Sequence, residues 1–188
     1  MSASASTSSG QLPRSQSTAT TADGVAPSPV YWLLTVLVIV SDVITKWLAV
    51  EHLVPRHVPH PIIGDYVRFT LAYNPGAAFG FNLGPGSRWI FAALSVAIVV
   101  VLLRSTRQLV MHSRLAAMGV PIVIGGAVGN LLDRIRFREG VVDFIDVGVG
   151  NVRFWTFNVA DSAVTVGAVC LVIALWRHDE SHAASVQS

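Results

Sequence analysis

Seven of the carboxylate, carboxamide and guanidinium side chains between residues 130 and 161 could do chemistry together. They are Asn130, Asp133, Arg134, Asp143, Asp146, Asn158 and Asp161, and they sit at the ends of apolar runs or between them. Asp143, in Val-Val-Asp-Phe, and Asp161, in Val-Ala-Asp-Ser-Ala, are the best candidates among them, each set in apolar sequence. Two carboxylates brought together in such surroundings cannot both ionise, so one keeps a proton near neutral pH. Such a pair can do general acid and base work with identical side chains. The ionised member takes a proton from water while the protonated member polarises a carbonyl, as in an aspartic protease. Read from residues alone, a structural polar cluster or an ion path has equal standing.

Other chemistries are poorly served. The six histidines lie in loops or tails with no HExxH pattern, so no metal site is expected. Ser162 has no adjacent Lys or His to activate it and no GxSxG occurs. Cys170, the single cysteine, excludes an intrachain disulfide and lies inside an apolar run where a thiolate is disfavoured. Gly125-Gly-Ala-Val-Gly129 lacks the Lys-Ser/Thr of a phosphate loop and reads as a helix-packing surface.

The elements that must position these groups are membrane helices. Of 188 residues, 52% are apolar and 13% are charged, and the mean hydropathy is +0.57; soluble domains carry about 25% charged residues. The net charge of +2 comes from basic residues scattered singly, which excludes a nucleic-acid partner. Four apolar stretches, 31–50, 89–108, 115–132 and 159–176, approach the length needed to cross a bilayer. Asp42 and Lys46 lie inside the first, four residues apart on one helical face where they can pair. Between the first two spans, Tyr66–Tyr73 alternates and is rich in β-formers, and Asn74-Pro75-Gly76 follows as a turn, so a small extramembrane sheet is expected there. The fold class is therefore an all-α membrane protein of four helices with that sheet appended.

Residues 1–29, with twelve Ser or Thr, read as a disordered tail rather than a cleavable signal peptide, 30–177 as the membrane domain, and 178–188 as a flexible end. Four crossings gather the 50–88 and 133–158 loops on one side and both termini on the other. The Lys and Arg count, 5 on the terminal side against 7 opposite, does not decide orientation. The short loop holding Arg104, Arg107 and Arg114 without an acid favours termini inside.

Five blocks, taken together, resemble the lipoprotein signal peptidases (signal peptidase II), intramembrane aspartyl proteases of bacteria. They are Asp42-Val-Ile-Thr-Lys46, Asn74-Pro-Gly-Ala-Ala-Phe-Gly80, Gly125-Gly-Ala-Val-Gly-Asn130-Leu-Leu-Asp133-Arg134, Gly140-Val-Val-Asp143-Phe144 and Phe157-Asn158-Val-Ala160-Asp161. The resemblance implies that Asp143 and Asp161 are the catalytic dyad. It also implies that Asn74, Asn130, Arg134 and Asn158 line the substrate site, and that Asp42, Lys46, Gly76, Asp133 and Ala160 support it. It further implies cleavage before the diacylglyceryl-modified cysteine of prolipoproteins, with no cofactor. The protein would act as a monomer among membrane lipids in the bacterial inner membrane, with termini in the cytoplasm and the site toward the outer side. Val43 departs from the polar residue often found there in the family. The rival reading is a small ion- or proton-coupled carrier, whose ionisable groups should be spread through the membrane depth; a third is a scaffold whose polar groups only join helices.

Overall fold

The computed structural model describes residues 28–78, 81–82, 84 and 86–186. Residues 1–27 of the tail expected over 1–29, the Phe79-Gly80 end of the second block, and the last two residues lie outside them, while Ser28 caps α1 and Pro29 begins it. The chain runs as α1 (Pro29–His52), β1 (His60–Ile63), β2 (Val67–Asn74), β3 (Ala77–Ala78), β4 (Phe81–Asn82), α2 (Ser87–His112), α3 (Arg114–Arg136), β5 (Val141–Val149), β6 (Val152–Arg153) and α4 (Val159–Val186).

All four helices are long and apolar enough to span a bilayer. α1 shows the inverted pattern that a lipid solvent demands: Tyr31, Thr35, Asp42, Lys46 and Ala49 are buried, whereas Trp32, Leu33, Val36, Leu37, Val40, Ile44 and Trp47 are exposed on the surface that would meet hydrocarbon. α3 is the central helix, with 61% of its span buried against 17–22% for the others. Its small residues allow this. A Cβ on Gly126 would strike the Ala160 backbone and Val164 of α4, and one on Gly119 would lie 2.9 Å from the Gly167 carbonyl oxygen. Pro121 sits inside α3, and the Thr35 hydroxyl donates to its carbonyl at 3.2 Å, tying α1 to the same turn.

The sheet is antiparallel, ordered β1-β2-β5-β6. Sequence pattern located only its first half. The second half comes from the loop after α3, where β5 pairs with β2 in the register Asn74↔Val141, Tyr73↔Val142 and Ala72↔Asp143. β5 carries Val141, Val142, Asp143 and Phe144 all buried, so both of its faces are covered and the alternation that marks a half-exposed strand is missing. α4 then begins against this strand: Phe157 exchanges backbone hydrogen bonds with Ile145 at 2.8 and 3.0 Å.

Candidate active site

That Phe157–Ile145 pairing is what brings two distant acids together. It sets Asn158 beside Asp143, and Asn158 is also the residue that starts α4. The Asn158 side-chain oxygen accepts the Asp161 N–H at 2.9 Å, and the Asp161 carboxylate accepts the Asn158 N–H at 3.2 Å. This reciprocal pair is a capping box, closing two of the open N–H groups of the helix start. The Asn158 amide nitrogen donates to Asp143 Oδ1 at 2.7 Å and lies 3.2 Å from both the Val142 carbonyl and Asn130 Oδ1. One fully buried carboxamide thus holds both acids.

Asp143 is 3% exposed. Burial, joined by the neighbouring charge of Asp161, pushes its pKa up to about 7, against hydrogen bonds from Asn158 and Asn74 and the more distant charge of Lys46. Asp161, half-buried, has a different set of partners: Asn130 Nδ2 donates to its Oδ1 at 2.7 Å, and the first turn of α4 presents its N–H groups.

Beneath the pair lies a cationic brace. Lys46 Nζ is 2.8 Å from Asp42 Oδ2, 3.0 Å from Asp133 Oδ2 and 2.9 Å from Asn130 Oδ1. Asp42 Oδ1 accepts the Ala160 N–H at 2.9 Å, and Asp133 Oδ2 accepts the Val142 N–H at 3.1 Å. Ala160 is fully buried. The brace therefore pins the residue before each acid, Val142 and Ala160, through backbone N–H groups. Arg134 donates to the Asn130 carbonyl at 3.1 Å and stands over the Phe91 ring at 5.7 Å. Its Nε is buried and meets no acceptor among the described residues. Gly76 closes the rim: at φ +113 its N–H donates to Asn74 Oδ1 at 3.0 Å, and a Cβ there would crowd Ser87.

Asp146, grouped with the others by topology, is turned to a separate task. Burial opposes its charge, but Arg153 and Arg68 donate to it at 2.8 Å and 2.8–3.0 Å and hold its carboxyl below the ordinary range. It ties β2, β5 and β6 together. Sequence reasoning gave no signal for this arginine pairing, which depends on the β2–β5 register Arg68↔Asp146.

Among the described residues, the buried Asp and Lys side chains lie in the second half of α1, near the end of α3 or in the sheet over that end, and none lies in the first half of α1 or in α2. A carrier would need such groups through the membrane depth, so that reading is not favoured. No group of His, Cys, Asp and Glu among the described residues could hold a metal ion.

Residues 34–177 match the family model for Signal peptidase (SPase) II. A lipoprotein signal peptidase of Geobacillus kaustophilus is 40% identical over 146 residues, covering 78% of this chain and 92% of that protein. Another, from Coxiella burnetii, is 42% identical over 151 residues, covering 76% and 87%. A bacterial membrane enzyme solved by the in meso method at 2.3 Å superposes with a TM-score of 0.71 at 26% identity, over 81% of this chain and 90% of that one. With its four spans, the protein is a protease of the bacterial inner membrane, and the chain belongs to the signal peptidase II family.

Proposed function

We propose that this chain cleaves prolipoproteins immediately before a diacylglyceryl-modified cysteine, using Asp143 and Asp161 as an acid–base pair. The observation that carries the reading is the single Asn158 side chain bonded to both residues. It fixes two acids, eighteen positions apart in sequence, around one point.

The two environments divide the labour. Burial beside another acid favours the proton on Asp143, whereas Asp161 accepts hydrogen bonds from the Asn130 amide and the Asn158 N–H. Asp161 then takes a proton from water as its oxygen attacks the scissile carbonyl carbon, and Asp143 gives its proton to the carbonyl oxygen. The resulting gem-diol collapses: Asp143 recovers a proton from it, Asp161 passes its own to the leaving nitrogen, and the C–N bond breaks. Proton count and charge return to their starting values. Arg134, whose buried Nε has no acceptor among the described residues, and Asn74 supply donors for the substrate backbone.

A substrate tethered by two acyl chains and a signal helix holds its scissile bond at the bilayer surface, which suits acids placed where α4 leaves the sheet. The acid-free loop bearing Arg104, Arg107 and Arg114 supports termini in the cytoplasm and the dyad toward the outer side. We take the unit as a monomer in contact with membrane lipids, working without a cofactor. Purified protein incubated with lipidated and unlipidated precursor tests the reading: cleavage of the lipidated form alone is expected, and equal cleavage of both would remove the lipid from substrate recognition.

A further inference from the structure

The end of the molecule away from the dyad carries a feature that proteolysis does not use. α2 and α3 are separated only by Ser113, and α4 returns antiparallel to α3, so Leu171 reaches Gly119 and the next turn of α4 reaches Ala116. There a cavity of about 370 Å³ opens between the three helices, lined by Leu109, Ser113, Ala116, Leu171, Ala174 and Leu175.

Basic residues surround it. Arg107 lies two residues before Leu109, Arg114 follows Ser113, Arg177 lies two beyond Leu175, and Arg104 is one turn back on α2. All four are exposed, and among the described residues none of them forms an ion pair. From Trp89 to Leu132 the chain holds no Asp or Glu; the acids nearest in sequence are Asp179 and Glu180, beyond Arg177. On the opposite side three arginines are paired with acids, Arg56 with Glu139, and Arg68 and Arg153 with Asp146. Unpaired guanidinium groups beside an apolar opening at the end of a span match one kind of occupant, which has a hydrocarbon chain and a negative head.

We propose that this cavity is a binding site for one anionic phospholipid of the leaflet on the side of both termini, with an acyl chain between α2, α3 and α4 and its phosphate held by Arg107 and Arg114. A zwitterionic lipid fills the same hydrocarbon space but gains little from the arginines. A ligand that binds only the folded state stabilises it in proportion to the logarithm of its concentration over its Kd. Each arginine at an anionic headgroup is worth about a fivefold change in affinity.

The test uses the full chain, purified in neutral detergent and titrated with phosphatidylglycerol, phosphatidylcholine or glycerol 3-phosphate. Tm is followed, and native mass spectrometry counts retained lipid. Phosphatidylglycerol should raise Tm beyond phosphatidylcholine and remain bound at one copy, and glycerol 3-phosphate, which has the charge without the chain, should do nothing. Arg107→Gln/Arg114→Gln should weaken the phosphatidylglycerol response more than tenfold in concentration while cleavage in detergent persists, and Ala174→Phe, which fills the cavity, should abolish the retained copy. Equal responses to the two lipids, a response to glycerol 3-phosphate, or an undiminished response in the exposed double arginine variant would overturn the site. If Ala174→Phe fails to fold, the double arginine variant decides alone.

Discussion

Lys46 Nζ donates to Asn130 Oδ1 at 2.9 Å, and together with the Asn158 amide nitrogen at 3.2 Å it sets which way the Asn130 amide faces. With its oxygen claimed by the cation, the amide has only its nitrogen to offer Asp161, at 2.7 Å. A lysine on α1 therefore controls, through α3, what the acid on α4 can accept.

The same lysine is also the counter-ion of two buried acids, and its loss should be costly. Lys46→Met leaves Asp42 and Asp133 buried without a cation, and a loss of about 3–5 kcal/mol in stability is expected. The triple variant Asp42→Asn/Lys46→Met/Asp133→Asn removes the charges together and should recover part of that loss. Thermal unfolding of the unmodified protein and the two variants in one detergent checks the order; a triple variant no more stable than Lys46→Met would show that shape, not charge, sets the cost.

Removing either acid of the proposed dyad should spare the fold. Asp143→Asn and Asp161→Asn each keep a hydrogen-bonding group of the same size, so the membrane-inserted protein should accumulate normally while cleavage falls by about 10²–10⁴-fold or more. Processing of a lipidated precursor is the measurement, with Tm read alongside. Near-normal turnover in either variant would falsify the assignment.

The raised pKa of Asp143 has consequences for both rate and stability. Its folded value of about 7 lies above the ordinary carboxylate range. Between those two values the folded state binds the extra proton, so the contribution of this group to stability declines as pH rises from about 4 to about 7. Asp143→Asn should remove that decline. In the proposed mechanism activity also falls on the alkaline side as the proton leaves Asp143, giving a limb near pH 7 in a pH–rate profile. A rate still rising between pH 7 and 9 would assign the proton elsewhere.

How much of this was legible in the chain differs by element. The helices were readable because a span must be apolar along some 20 residues whatever its neighbours do. Asp42, Lys46 and the Asn130-Asp133-Arg134 group stood out because charge within such runs is costly. β5 was not visible as a strand, since Val141–Phe144 is buried on both faces and shows no period. Asp146 is grouped with the other acids by sequence position for a related reason: its pairing with Arg68 and Arg153 follows from the β2–β5 register, which no local pattern states. Asn158 was recognisable as a polar residue at a helix start, but its second bond, to Asp143, exists only once Phe157 has paired with Ile145.

Close packing of α3 offers a last test that removes no polar group. A Cβ on Gly129 would lie 2.5 Å from Asp42 Oδ2 and 3.4 Å from the Ala160 Cβ. Gly129→Ala must therefore displace the Asp42 carboxylate, disturbing its bond from the Ala160 N–H on which the start of α4 depends. An overpacked methyl costs about 1–3 kcal/mol. Because Ala160 precedes Asp161, cleavage should fall more than the lost stability explains when assayed well below Tm. Cys170→Ala is the control, on the helix that carries Asp161. It lies nine residues from Asp161, about 13 Å along α4, and its loss should leave turnover unchanged. A Gly129→Ala protein with full turnover would mean that the α1–α4 contact tolerates movement without disturbing the acid.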